Sequence, residues 1–169
     1  MPRPMMILAG DVNRDGRCVV PYPRSNVALG VAPSAGSVDG VLARPEISHY
    51  ISGWLLDGDV GVVAETERPI GAAWWRFLPE EEPGYGFADS ETPEITIGVR
   101  ADDRSQGIGK YLLDTLICMA TEQGLPGLSL SVEPENHAIR LYERMGFEVV
   151  GEIGGAVTIR RAIPASPAG

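Results

Sequence analysis

One short segment of the chain has residue types and spacing suited to anion chemistry: Arg104-Ser105-Gln106-Gly107-Ile108-Gly109-Lys110. Glycines remove side chains, so backbone N–H groups there can approach an anion closely. The start of a helix behind them adds about half a positive charge. A phosphate or pyrophosphate is the expected ligand. Two familiar phosphate loops do not fit. The nucleotide P-loop needs glycine five residues before Gly109 and Ser or Thr after the lysine, where this chain has Arg104 and Tyr111. The dinucleotide fingerprint needs a third glycine at the position of Leu112.

The elements that must hold this turn are legible around it. Glu94 to Val99 alternates, with Ile95, Ile97 and Val99 on one face and Glu94 and Thr96 on the other, and reads as a strand. Ile108, Leu112, Leu116 and Ala120 recur at helical spacing, and Gly124 is a natural stop. Leu128, Leu130 and Val132 alternate with Ser129, Ser131 and Glu133, giving a strand that Pro134 ends. Asn136 can cap a short helix whose apolar face is Ile139, Tyr142 and Met145. Upstream, residues 61–65 and 70–77 read as a hairpin, and residues 78–93 as a loop. Residues 147–150 and 157–159 read as a final hairpin around Gly154-Gly155. Residues 1–45 carry six prolines and five glycines; a strand at Val19-Val20 or Val27–Leu29 and a short helix at 46–51 are all they suggest. The expected fold is α/β, a central mixed sheet with helices on both faces. Residues 1–160 form a single domain in this reading and 161–169 a flexible tail.

The chain has 14 basic and 23 acidic residues, a net charge of −9. Such a surface repels phosphate backbones and anionic lipid, so nucleic-acid and membrane partners are not expected. With no long apolar run, a cytoplasmic location is the default. Two cysteines without CxxC spacing, and isolated His49 and His137, write no metal site. Cys118 lies in the apolar helical pattern and reads as a buried structural thiol. Glu80, Glu81, Glu82, Asp89, Glu91 and Glu94 crowd residues 79–94, interleaved with Tyr85 and Phe87. That acidic, aromatic loop suits a cationic amine, or is simply a solvated loop. Five of the 14 cations fall between Arg100 and Arg144, a local basic set for an anionic ligand. Trp74 and Trp75 must point to opposite faces, one into the core.

The Arg/Gln-x-x-Gly-x-Gly/Ala pattern after an alternating strand resembles the GNAT superfamily of N-acetyltransferases. So does Asn136 opening a short helix, followed by Leu141-Tyr142 and Gly146-Phe147. The resemblance covers roughly residues 57–160. It implies a cleft splayed between the fourth and fifth strands, acetyl-CoA as co-substrate and no metal. It places the pantetheine arm against Ile97, Gly98 and Val99, and the pyrophosphate on Ser105, Gln106, Gly107, Ile108, Gly109 and Lys110, with Arg104 adding charge. It puts Asn136 near the cofactor's reactive end. Tyr142 is then the acid that protonates the departing thiol, and Glu94 a base for the amine, although Glu94 stands about one residue closer to the glycine motif than the family's glutamate. The implied activity is acetyl transfer to a primary amine of a small molecule or peptide by direct attack, with a homodimer left open. The alternative is a non-catalytic acetyl-CoA-binding sensor or partner module. The family's usual helices after its first strand are not written in residues 1–45.

Overall fold

The computed structural model describes residues 28–31, 58–65 and 69–165. The expectations for Val19-Val20, residues 46–51 and His49 fall outside them. Among the described residues there are seven strands: β1 (Ala28–Val31), β2 (Val60–Glu65), β3 (Pro69–Arg76), β4 (Glu94–Val99), β5 (Gly127–Val132), β6 (Glu148–Ile153) and β7 (Ala156–Ala162). Two α-helices accompany them among the described residues, α1 (Ile108–Glu122) and α2 (Ile139–Arg144). The strand order is β1-β2-β3-β4-β5-β7-β6. β4 and β5 run parallel across the α1 connection, whereas β1–β2, β5–β7 and β6–β7 are antiparallel. The mixed α/β sheet expected from the sequence is the fold observed.

The chain divides into two compact units, residues 1–74 with 97–118 and residues 75–96 with 119–169. In the first, β1 and β2 pair from Ala28↔Glu65 to Val31↔Val62. Val62 and Ala64 are buried on alternate positions of β2, as are Ala73 and Trp75 of β3. The helical pattern of α1 buries Ile108, Leu112 and Leu116 as its spacing predicts, and Tyr111 and Leu113 widen that face. A Cβ at Gly71 would lie 3.1 Å from the Gly98 carbonyl, 3.2 Å from Leu112 and 3.3 Å from Ile108. Gly71 is therefore the close-packing glycine that seats the start of α1 on β3. Cys118 is disulfide-bonded, with its partner outside the described residues, which corrects the reading of a free structural thiol.

The second unit is built on β5. Leu128, Leu130 and Val132 are buried on one side of the strand, and Ser129 on the other is buried too. β5 pairs with β7 from Gly127↔Ala162 to Val132↔Val157. Strand β7 thus runs past residue 160, the Ile163 N–H bonds the Pro126 carbonyl at 3.0 Å, and the Ile163 side chain is buried. The expected tail boundary at 161 is therefore too early, because Ile163 has an apolar place to fill. Phe147 is likewise a core residue ahead of β6 and not its first member. Trp75 is the wholly buried tryptophan of the pair, and Trp74 is half-buried.

Candidate active site

Of the residues expected to hold the cofactor, Ile97, Gly98, Val99 and Arg104 to Lys110 lie in the first unit, and Asn136 and Tyr142 in the second. β4 ends at Val99, a single 3-10 turn follows at Ala101–Asp103, and the Arg104–Gly107 turn leads into α1. Ser105 (φ 60°) and Gly107 (φ 82°) both occupy the left-handed region. Glycine adopts it at little cost, and a serine there is an uncommon, local constraint. The Tyr111 N–H to Gly107 carbonyl bond (3.0 Å) is the first of the helical pattern. By helix geometry the amides before Tyr111 have no carbonyl one turn back, so they form the donor set at the helix start.

Strand β4 offers Ile97 and Val99 half-buried and Gly98 exposed between them. A Cβ at Gly98 would meet nothing within 4 Å. No side chain packs there, in contrast to Gly71. The two cations of the turn are already engaged. Arg104 Nε bonds the Val99 carbonyl at 3.2 Å, and Lys110 Nζ pairs with Asp114 at 2.5 Å one helical turn on. Both contacts are solvent-exposed, hence weak and exchangeable.

In the second unit Glu94 begins β4 and is 3 % exposed. It sits opposite Ser129, and this is the only registered pair of the β4–β5 ladder, so the pairing is confined to the start of β4. The Gly86 N–H donates to Glu94 Oε1 at 2.8 Å. A Cβ at Gly84 would fall 2.2 Å from Glu94 Oε2, and one at Gly86 would fall 2.6 Å from Leu130 and Ser131 backbone atoms. The segment Gly84–Gly86 thus lies as a strap on the carboxylate and on β5. The carboxylate is covered on its loop side.

The same strap accounts for much of the acidic loop. The Thr158 hydroxyl donates to the Tyr85 carbonyl at 2.9 Å. Asp89 accepts from the Glu91 and Thr92 N–H groups at 3.0 and 2.8 Å, and lies 3.7 Å from Arg160 Nε. Asp89 is therefore a turn and ion-pair residue of its own loop. Glu80, Glu81, Glu82 and Glu91 stay exposed, as does Tyr85. A groove of about 260 Å³ runs beside this loop, lined by Phe87, Asp89, Val150, Glu152, Ile153 and Arg160. Arg160 and the two glycines of the strap carried no sequence signal, since contacts with other segments decide their roles.

Helix α2 carries Tyr142, which is buried. Burial pushes its phenol above the ordinary value near 10, so the neutral, proton-bearing form is favoured. The ring meets Phe147 edge-on at 5.9 Å between centroids. Asn136 Oδ1 accepts the Ala138 N–H at 2.9 Å, an Asx turn that starts the helix approach, and α2 itself begins three residues later than Asn136. The Asn136 side chain is exposed, as are His137, Arg140 and Arg144. Among the described residues no group of three or more His, Cys, Asp or Glu side chains is placed to hold a metal, and no helix is long and apolar enough to cross a membrane.

A GNAT family acetyltransferase from Elizabethkingia anophelis with acetyl-CoA bound superposes with a TM-score of 0.61 at 17% identity, over 83% of this chain and 100% of that one. The Acetyltransferase (GNAT) family model matches residues 39–147, and the chain belongs to that family. It is 34% identical over 117 residues to a mycothiol acetyltransferase of Brachybacterium faecium, covering 66% of this chain and 33% of that protein. It is 41% identical over 72 residues to an L-methionine sulfoximine/L-methionine sulfone acetyltransferase of Pseudomonas aeruginosa, 42% of this chain and 41% of that protein. The chain thus spans well under half the length of these two relatives.

Proposed function

We propose that the chain is an N-acetyltransferase that moves an acetyl group from acetyl-CoA to a primary amine of a small molecule or peptide, by direct attack. The observation that carries this reading is the Arg104–Lys110 turn, with Ser105 and Gly107 held left-handed at the start of a 15-residue helix. Acetyl-CoA supplies the activated acetyl thioester. The amides from Ser105 to Lys110 receive its pyrophosphate, and Arg104 and Lys110 exchange their exposed partners for the anion. The open backbone at Ile97, Gly98 and Val99 takes the pantetheine arm, and an N–H at Gly98 or Val99 serves as oxyanion donor. Asn136 contributes its exposed amide toward the reactive end. Tyr142, protonated at neutral pH, gives its proton to the departing sulfur. Glu94, covered by its strap, holds the loop beside the acceptor, and the amine loses its proton through water. The relative named for methionine derivatives agrees with an amine acceptor.

Thiol release from acetyl-CoA over a panel of primary amines tests this. Turnover on at least one amine is expected, with Tyr142→Phe lowering kcat about 100-fold, in the range of general acid catalysis, and leaving KM for acetyl-CoA within a few fold. Binding of acetyl-CoA without turnover on any amine would instead make the chain a non-catalytic module. Glu94→Gln should keep most of kcat; a large loss at neutral pH, recovered at alkaline pH, would return Glu94 to the role of base. The raised phenol value also fixes a stability trend. An unfolded chain gives up the tyrosine proton near pH 10, the folded one only at higher pH. This stabilisation is whole below pH 10 and is lost as pH rises through the folded value. Urea midpoints between pH 9 and 11.5 should fall less steeply in Tyr142→Phe.

A further inference from the structure

A two-turn helix does not hold a side chain in place by itself. α2 has six residues, too few for a stable helix in isolation. Its N-cap position is Ala138, whose side chain caps nothing. Its geometry must come from what it is tied to. At the C-terminal end the Met145, Gly146 and Phe147 N–H groups bond carbonyls of α2, the last of them returning to Tyr142 itself at 3.0 Å. That closing turn presents the Met145 carbonyl outward, where the guanidinium of Arg161 donates to it through Nη1. Arg161 lies on β7, opposite Leu128 of β5, so its backbone is fixed in the sheet. A Cβ at Gly146 would come within 3.1 Å of the same Nη1. The guanidinium therefore packs closely against the turn at Gly146.

We propose that Arg161 is a positioning residue for Tyr142: seated on the Met145 carbonyl, it ties the last turn of α2 to β7 and fixes the tyrosine ring through the Tyr142–Phe147 closure. This rests on the reading of Tyr142 as the acid. Two further observations support it. Arg161 Nε is buried without a hydrogen-bond partner, a cost that an apolar residue at this sheet position would avoid. A cation at the C-terminal end of a helix also meets the negative end of its dipole, which favours this seat over other places on the unit.

The test uses the full chain with acetyl-CoA and the best amine of the panel. Arg161→Met keeps the length of the side chain and removes the donors. It should lower kcat at least tenfold, per active site counted by acetyl-CoA binding, and leave KM for acetyl-CoA within threefold. Arg161→Lys, which can still reach a carbonyl, should recover much of the loss, and it serves as the folded variant if Arg161→Met does not fold. In a Tyr142→Phe background Arg161→Met should add less than a twofold further loss, since both act through one group. Unchanged kcat in a destabilised Arg161→Met protein would overturn the proposal, as would a full additional loss in the Tyr142→Phe background. If Tyr142→Phe alone keeps full turnover, the acid reading falls, and the ring itself decides. With 13C-labelled tyrosine, the Tyr142 signal, assigned by its loss in Tyr142→Phe, should move toward the free-tyrosine position when Arg161 is replaced. An unmoved signal would refute the tie.

Discussion

Two glycine-bearing segments of this chain use the same residue for opposite reasons. At Gly98 and Gly107 an added Cβ would meet nothing within 4 Å. At Gly84 and Gly86 it would meet protein atoms at 2.2–2.8 Å. The first pair leaves backbone bare, which is where the proposed function lays an extended ligand, and at Gly107 a left-handed φ is needed as well. The second pair lets one stretch of backbone lie directly on another and on a buried carboxylate. Glycine in a motif therefore marks either ligand approach or internal contact, and only the surroundings tell which.

That contrast can be broken by alanine at each position. The largest effect is expected at Gly86, where the Cβ would press on Leu130 and Ser131 backbone that cannot rotate away. Gly86→Ala should cost about 3 kcal/mol in urea denaturation, the upper part of the overpacking range. Gly84→Ala meets the end of a side chain instead and should cost about 2 kcal/mol. Its cost should shrink when Glu94 is also shortened to alanine, a non-additivity that measures the strap contact. Gly107→Ala has room but the wrong φ, so about 1 kcal/mol of stability is expected to go, together with a roughly tenfold rise in KM for acetyl-CoA, worth about 1.4 kcal/mol. Gly98→Ala should be the mildest for folding, within about 0.5 kcal/mol, while still raising KM for acetyl-CoA several-fold. A stable Gly86→Ala protein, or a Gly98→Ala protein that unfolds easily, would erase the distinction.

The parts of the molecule governed by local periodicity were legible in advance. The i, i+4 pattern of α1, the Leu/Ser alternation of β5 and the Gly154-Gly155 turn are each fixed by neighbours a few residues away. The Arg104–Lys110 turn was legible for the same reason. What was not legible depends on partners far along the chain. Glu94 is covered because residues 84–86 fold back on it, Asp89 is occupied by Arg160, and Gly71 rather than Gly98 is the packing glycine. Arg161 has no motif at all, and its place on Met145 follows from the β7–β5 register. The chain end was misjudged because Pro164 and the small residues after it masked the apolar anchor at Ile163.

Strand β6 closes the sheet order and is exposed along its whole length, with Val149, Val150 and Ile153 among its residues. A flat, greasy border of that kind would invite other chains to add on in extended form. Two devices oppose this. The register slips between Val149 and Gly151, so the border is kinked and offers no long straight template. Glu148 and Glu152 place negative charge near either end of it, and a second molecule arriving with the same strand would bring like charges against them. The acidity of this protein thus acts locally as well as globally: at this border like charges oppose edge-to-edge pairing of two copies.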